Sequence, residues 1–157
     1  MRRRVVITGV GMVTPLGGNV EQSWAKVCQG HSGVGPVSRF DASALPVSFA
    51  AETVDVPVHP KDGGDLKLRL AVTALQEALS QSGPVGGERT GVCMGSEIGR
   101  PSLETLAQAM ADGAKPERED IERMDPAAPT RLVAEISGAS GPMSTVSTAC
   151  TSSSQAV

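Results

Sequence analysis

Three short strand-like stretches with apolar and β-branched residues, at positions 4–10, 90–95 and 143–148, constrain the fold of this chain more than any other feature. The continuous apolar character of the first is the pattern of a strand buried on both faces. Helical patterns lie between the runs. Strands that alternate with helices predict parallel βαβ units and a layered α/β fold.

The helices announce themselves through their ends. Asn19 is an N-cap with Gln22 three residues on, the spacing of a capping box, and Gly30 closes the helix that follows. Val20, Trp24, Val27 and Cys28 share one face of it, so Cys28 is expected in a core. A second helix runs from Asp65, carries Leu66, Leu70, Ala74 and Ala78 beside Ala71, Leu75 and Leu79, and stops at Gly83-Pro84. A third starts at Pro101 and Ser102, with Leu103, Leu106, Ala107 and Met110 on one face and Gly113 near its end. A fourth starts at Pro129 and Thr130, carries Leu132, Val133 and Ile136, and ends at Gly138. Residues 36–64, rich in Pro, Ser, Asp and Gly, read as a surface excursion with short strands such as 47–54. The charged stretch from Lys115 to Asp125 reads as a solvated face or an exposed loop.

Composition removes several classes of function. With 14 Lys plus Arg against 17 Asp plus Glu, the chain lacks the basic footprint of a nucleic-acid binder. Arg2, Arg3 and Arg4 form only the solvated start of the first strand. No stretch approaches the roughly 18 apolar residues of a membrane span, and no signal-peptide core opens the chain, which together predict a cytoplasmic protein. Aromatic residues make up 2% of the chain, so any core must come from Val, Ala, Leu and Met.

Cys28, Cys93 and Cys150 are widely separated with no C-x-x-C pair, which suggests neither a metal site nor a disulfide framework. Cys93 falls in the second strand and reads as a small hydrophobe. His31, in a glycine-flanked loop, and His59, between Val58 and Pro60, have no partners at ligand spacing and read as bystanders. The Gly9-x-Gly11 pair fails as a dinucleotide fingerprint because Thr14 stands where the third glycine belongs. No cofactor is implied.

Cys150 is the exception. It follows the strand-like residues Met143 to Thr148 and precedes the hydroxyl run Thr151 to Ser154, which supplies helix-capping oxygens. Gln155-Ala156-Val157 then begins a helix. A cysteine at a strand-to-helix elbow meets free backbone N–H groups, which favour a thiolate and can hold an oxyanion.

The stretch from Gly141 to Ser153 (G-P-M-S-T-V-S-T-A-C-T-S-S) resembles the nucleophile segment of the type II β-ketoacyl-acyl-carrier-protein synthases. Residues Arg3 to Gly17 resemble the first strand and turn of that family. Gly30-His31-Ser32-Gly33-Val34 with Arg39-Phe40-Asp41 resembles its next segment. Gly95-Ser96-Glu97-Ile98-Gly99 resembles a family turn in which glycine usually stands where Glu97 does, and the helix before the last strand is shorter than usual.

The resemblance implies the N-terminal half of a thiolase-like layered αβαβα fold, incomplete at 157 residues and truncated just after the nucleophile. The whole of residues 1–157 would be one N-terminal synthase domain. It implies Cys150 as the nucleophile that carries the acyl thioester, with its own backbone N–H as an oxyanion donor. Ile98 matches a position lining the acyl pocket, with plain core packing as the equal alternative. The implied reaction is decarboxylative condensation of acyl-Cys150 with malonyl-acyl-carrier protein to give a 3-oxoacyl product. The family's decarboxylation histidines, active-site lysine and glycine-rich oxyanion loop would follow Val157, so residues 1–157 alone are expected to be inactive. Implied partners are an acyl-carrier protein and a second copy of the chain, paired through Met143 to Thr148. A ketosynthase unit of a polyketide or aryl-polyene pathway shares the same nucleophile segment. A non-catalytic partner resembling a chain-length factor would be expected to have replaced Cys150, and a thiolase relative has a different nucleophile neighbourhood.

Overall fold

The computed structural model describes residues 4–96, 103–113, 117–118, 122 and 125–157. Two compact units divide the chain, Met1–His59 with Arg69–Pro84, and Pro60–Leu68 with Val85–Val157. The division falls within the second helix.

In the first unit, helix α1 spans Val20–Cys28. The Asn19 carboxamide oxygen accepts from the Gln22 N–H at 2.8 Å, as the capping spacing predicts. The reciprocal bond goes one residue further back than in a capping box, because Gln22 Oε1 accepts from the Gly18 N–H. At the other end Gly30 turns left-handed at φ 71°, and the N–H groups of Gly30 and His31 reach back to Val27 and Lys26.

The expected apolar face of α1 is not buried. Trp24 is 65% exposed, Val27 and Cys28 are exposed, and the buried residue is Ser23. The reason is polar. Ser23 Oγ pairs with Thr14 Oγ1 at 2.9 Å and donates to the Gly17 carbonyl, so the hydroxyl face of α1 turns onto the Thr14–Gly17 turn. Trp24 and Val27 instead line an open apolar recess with Met12, Pro15 and Leu16. Cys28 is therefore not a core residue.

Residues 4–10 also differ from expectation. They form no ladder among the described residues, and Val5 and Ile7 are 93% and 85% exposed. The backbone of Val10 is held by a side chain, with Gln81 accepting from its N–H at 3.1 Å and donating to its carbonyl at 2.7 Å. Glu77 fixes the turn beyond, accepting from the N–H groups of Met12 and Val20.

Helix α2, Leu66–Ser82, supplies both side chains. Asp65 Oδ1 caps it by accepting from Lys67 and Leu68 N–H, and Gly83 at φ 78° ends it. Its most buried residue is Val72, outside the stripe that periodicity picks out. Strands β1 (Gly35–Pro36) and β2 (Phe49–Ala50) form a two-residue antiparallel pair. The longer strand expected at 47–54 does not form. Glu52 spends its carboxylate on the Ser38 N–H and hydroxyl and the Arg39 N–H, which replaces ladder bonding. The hydrogen bond from the Ser38 hydroxyl is the main cause holding the Glu52 carboxyl below its usual range.

The second unit contains the βαβ arrangement that the alternating pattern predicts. Strand β3, Val92–Gly95, pairs in parallel with β4, Met143–Val146, with Val92 opposite Met143 and Gly95 opposite Val146. Helices α3 (Leu103–Ala111) and α4 (Ala128–Ser137) lie in the crossover. Pro101 and Ser102, where α3 is expected to start, lie outside the described residues. Pro129 stands in the first turn of α4, where a missing N–H costs nothing, and Gly138 at φ 71° ends it.

α4 packs on both strands, burying Leu132 and Ala134. A hydroxyl pair, Thr130 Oγ1 to Thr145 Oγ1 at 2.6 Å, ties α4 to β4. Cys93 stands in β3 as expected, but it is exposed. Within the charged stretch, Glu117, Arg118 and Glu122 are exposed, and Arg118 pairs with Glu122 one turn on. The rest of that stretch before Asp125 lies outside the described residues.

Candidate functional site

Cys150 stands just beyond β4. Ser147 and Thr148 leave the strand, a 3₁₀ turn spans Ala149–Thr151, and helix α5 follows at Ser152–Ala156. The strand-to-helix elbow is thus present, with a tight turn inserted between strand and helix that holds the cysteine. Its thiol is exposed.

The elbow is strained. Ala149 has φ 52°, in the left-handed region that a Cβ disfavours by about 1–2 kcal/mol. Such a conformation persists only where neighbouring contacts over-determine it.

Those contacts come from the hydroxyl run, which does not cap α5 as expected. Thr151 precedes the helix with φ −97° and ψ −1°, already helical, and makes no side-chain cap bond. An N-cap side chain needs extended backbone to reach the second or third N–H, and this residue lacks it. The hydroxyls of Thr151 and Ser152 point back to the elbow instead. Thr151 Oγ1 donates to the Thr148 carbonyl at 3.0 Å. Ser152 Oγ accepts from the Thr148 N–H at 2.9 Å and donates to the Ala149 carbonyl at 2.7 Å. Ser152 is 5% exposed, whereas Thr151, Ser153 and Ser154 are exposed.

The end of β3 presses on this turn. A Cβ at Gly95 would lie 2.4 Å from the Ser152 carbonyl carbon and the Ser153 nitrogen, far inside contact distance. Only glycine allows the strand to come so close to the backbone of α5. The Ser96 N–H donates to the Val146 carbonyl, so the parallel ladder is locked beside the elbow. Gly95→Ala is expected to destabilise the intact protein by about 1–3 kcal/mol. A denaturant midpoint lowered at unchanged slope would show it; an unmoved midpoint would mean the approach is looser than described.

Neither Gly95 nor Ser152 stands out in the sequence. Gly95 reads there as part of a family turn and Ser152 as one of four hydroxyls, and only the packing singles them out. Ile98 and Glu97 lie outside the described residues. His31 and His59 both belong to the first unit, so the unit that carries Cys150 contains no histidine. Among the described residues no group of His, Cys, Asp and Glu is placed to hold a metal ion, and no helix is long and apolar enough to cross a membrane.

Comparison with known proteins gives one consistent result. The family model described as "Beta-ketoacyl synthase, N-terminal domain" matches residues 2–157. The chain is 33% identical, over 96% of its length, to a protein of Vibrio harveyi named 3-oxoacyl-[acyl-carrier-protein] synthase 2. It is also 33% identical, over 97% of its length, to the granaticin polyketide putative β-ketoacyl synthase 1 of Streptomyces violaceoruber. These matches cover 39% and 41% of the two relatives, so the chain spans about two fifths of their length. Among solved structures, the ishigamide ketosynthase/chain length factor superposes with a TM-score of 0.77 at 26% identity, covering 94% of this chain and 40% of that one. The fold is that of the N-terminal half of a thiolase-like ketosynthase.

Proposed function

Because the chain belongs to the β-ketoacyl synthase family, matching its N-terminal domain over residues 2–157, we propose that the intact protein is an acyltransferase that extends acyl chains by decarboxylative condensation. The observation that carries this reading is the exposed Cys150 on a strained elbow between β4 and α5, within the matched domain.

Cys150 Sγ attacks the thioester carbonyl of an acyl-carrier protein. A new carbon–sulfur bond forms, the bond to the carrier sulfur breaks, and the carrier thiol leaves with the proton. The Cys150 backbone N–H stabilises the oxyanion formed on the way. Malonyl-carrier protein then loses carbon dioxide, and its carbanion attacks the acyl carbon. The Cys150 thiolate leaves, giving a 3-oxoacyl chain two carbons longer. Dividing one condensation into two transfers lowers the barrier to each. The name of the Vibrio relative supports a carrier-protein substrate, and the motif resemblance supports Ile98 equally as an acyl-pocket residue and as plain core packing.

The test is to incubate the intact protein with acyl- and malonyl-carrier protein and follow the product. The 3-oxoacyl product is expected, with an acyl mass increment on Cys150 before malonyl donor is added; no increment would refute the reading. Residues 1–157 alone are expected to form no product, since the resemblance places the decarboxylating groups after Val157.

The granaticin relative, at the same identity, supports a second reading as the ketosynthase of a polyketide or polyene pathway. Starter and chain-length preference in the same assay separates the two. A non-catalytic partner like a chain-length factor would keep pathway output when Cys150 is replaced.

The resemblance also supports a homodimer formed across the nucleophile strand. Among the described residues β4 has β3 on one edge and no strand on the other. An open edge of this kind is a template for pairing with a second copy. A charge introduced at Val146 is expected to break the dimer of the intact protein, and an unchanged elution volume on sizing would refute it.

A further inference from the structure

We propose that the Ser152 hydroxyl is a positioning group for Cys150, an inference that rests on the acyl-transfer reading above. Of the four hydroxyl residues after the cysteine, only Ser152 is buried. Its oxygen sits two residues beyond Cys150 and bonds to both residues before it, accepting from the Thr148 N–H at 2.9 Å and donating to the Ala149 carbonyl at 2.7 Å. Cys150 is thus enclosed in a small ring of backbone closed by one side chain.

The ring matters because Ala149, held at φ 52°, has better conformations to relax into. Rotation there would swing the Cys150 sulfur and backbone N–H together, away from the geometry that lets one attack a carbonyl while the other holds its oxygen. Thr151 cannot substitute. Its hydroxyl reaches the Thr148 carbonyl and Oγ1 but not Ala149 among the bonds described, and it is exposed, so water competes for the same partners.

Two reactions of the same sulfur separate positioning from general support. Acyl transfer from a carrier thioester needs sulfur and N–H held together, whereas alkylation by iodoacetamide needs only an accessible sulfur. In the intact protein, Ser152→Ala is expected to slow acyl transfer to Cys150 by about a hundredfold, with alkylation largely retained. Thr151→Ala is expected to slow acyl transfer far less. Independently of any acyl chemistry, hydrogen exchange at the Thr148 amide is expected to accelerate in Ser152→Ala.

Acyl transfer and alkylation falling together would overturn the proposal, as would equal losses in the two variants or unchanged Thr148 exchange. A wild-type protein that accepts no acyl group, while Thr148 exchange still accelerates in the variant, would sink the acyl-transfer reading and leave the hydroxyl clamp standing.

Discussion

Cys150→Ala is expected to remove covalent acyl loading and to lower condensation by the intact protein on the order of a thousandfold or more, the scale on which loss of a catalytic nucleophile acts. No other side chain in the turn can replace it. The neighbours on either side are Ala149 and Thr151, and the Thr151 hydroxyl already donates to the Thr148 carbonyl. An unactivated hydroxyl is also a far weaker nucleophile than a thiolate.

Cys28 and Cys93 are the necessary controls, because both are exposed. If exposure alone made a cysteine acceptor, all three would carry acyl groups. The expected result is a single acyl increment in the wild type, mapped to the peptide containing Cys150. It should be absent in Cys150→Ala and present in Cys28→Ala and Cys93→Ala. Loading that survives in Cys150→Ala would place the acceptor elsewhere and remove the basis of the proposed function.

Gly11→Ala is expected to be the most destabilising single-methyl substitution in the first unit. A Cβ there would lie 1.8 Å from the Ala74 carbonyl oxygen and 2.6 Å from its carbon. The obstacle is the backbone of α2, which cannot swing aside as a side-chain tip can. Gly9 meets α2 in the same way, with its Cβ position 2.2 Å from the Ala78 carbonyl oxygen. Relief requires the segment to leave the helix, which would also draw Val10 from the Gln81 amide and Met12 from the Glu77 carboxylate.

Overpacking usually costs 1–3 kcal/mol, and a clash with helix backbone belongs at or above the top of that range, about 3 kcal/mol. Gly35→Ala is the control, since a Cβ there meets nothing within 4 Å. Equilibrium denaturation of the intact protein should show a large fall for Gly11→Ala and almost none for Gly35→Ala. Equal effects would mean that residues 9–11 do not press on α2.

The same contact explains what the sequence could and could not reveal. Gly9-x-Gly11 invites a dinucleotide reading from its spacing, and the structure gives it a mechanical meaning, the close approach of an extended segment to a helix. Helices were legible because their ends are chemical. Asn19, Asp65, Gly83 and Gly138 act where capping rules place them. The parallel strands at 92–95 and 143–146 were legible because strands alternating with helices leave few alternatives.

Burial was much less legible. Val5, Ile7 and Trp24 have the character of core residues and are exposed, while Ser23, Asp62 and Ser152 are buried. Apolar patterning says which side chains gain from burial, but which of them find partners depends on contacts distant in sequence. Small polar residues run the other way. Ser23 and Ser152 can be buried because each hydroxyl is satisfied by groups within nine residues of it, a match that no composition or periodicity measures. The candidate site divides similarly, since the elbow after β4 is legible in the motif around Cys150 whereas the bonds that shape its turn are not.

Parallel pairing also imposes an order in time. Val92 finds its partner only at Met143, so β3 is complete long before β4 exists to join it. Closing so large a loop must be paid in entropy before the ladder returns anything, which makes this step slow compared with the formation of α4. On the ribosome, α4 can shelter one face of β3 early, but the edge that β4 will occupy stays open until the chain has emerged past Val146. The turn bearing Cys150 emerges only after β4, so its sulfur can be placed only once the strand that leads to it has left the ribosome.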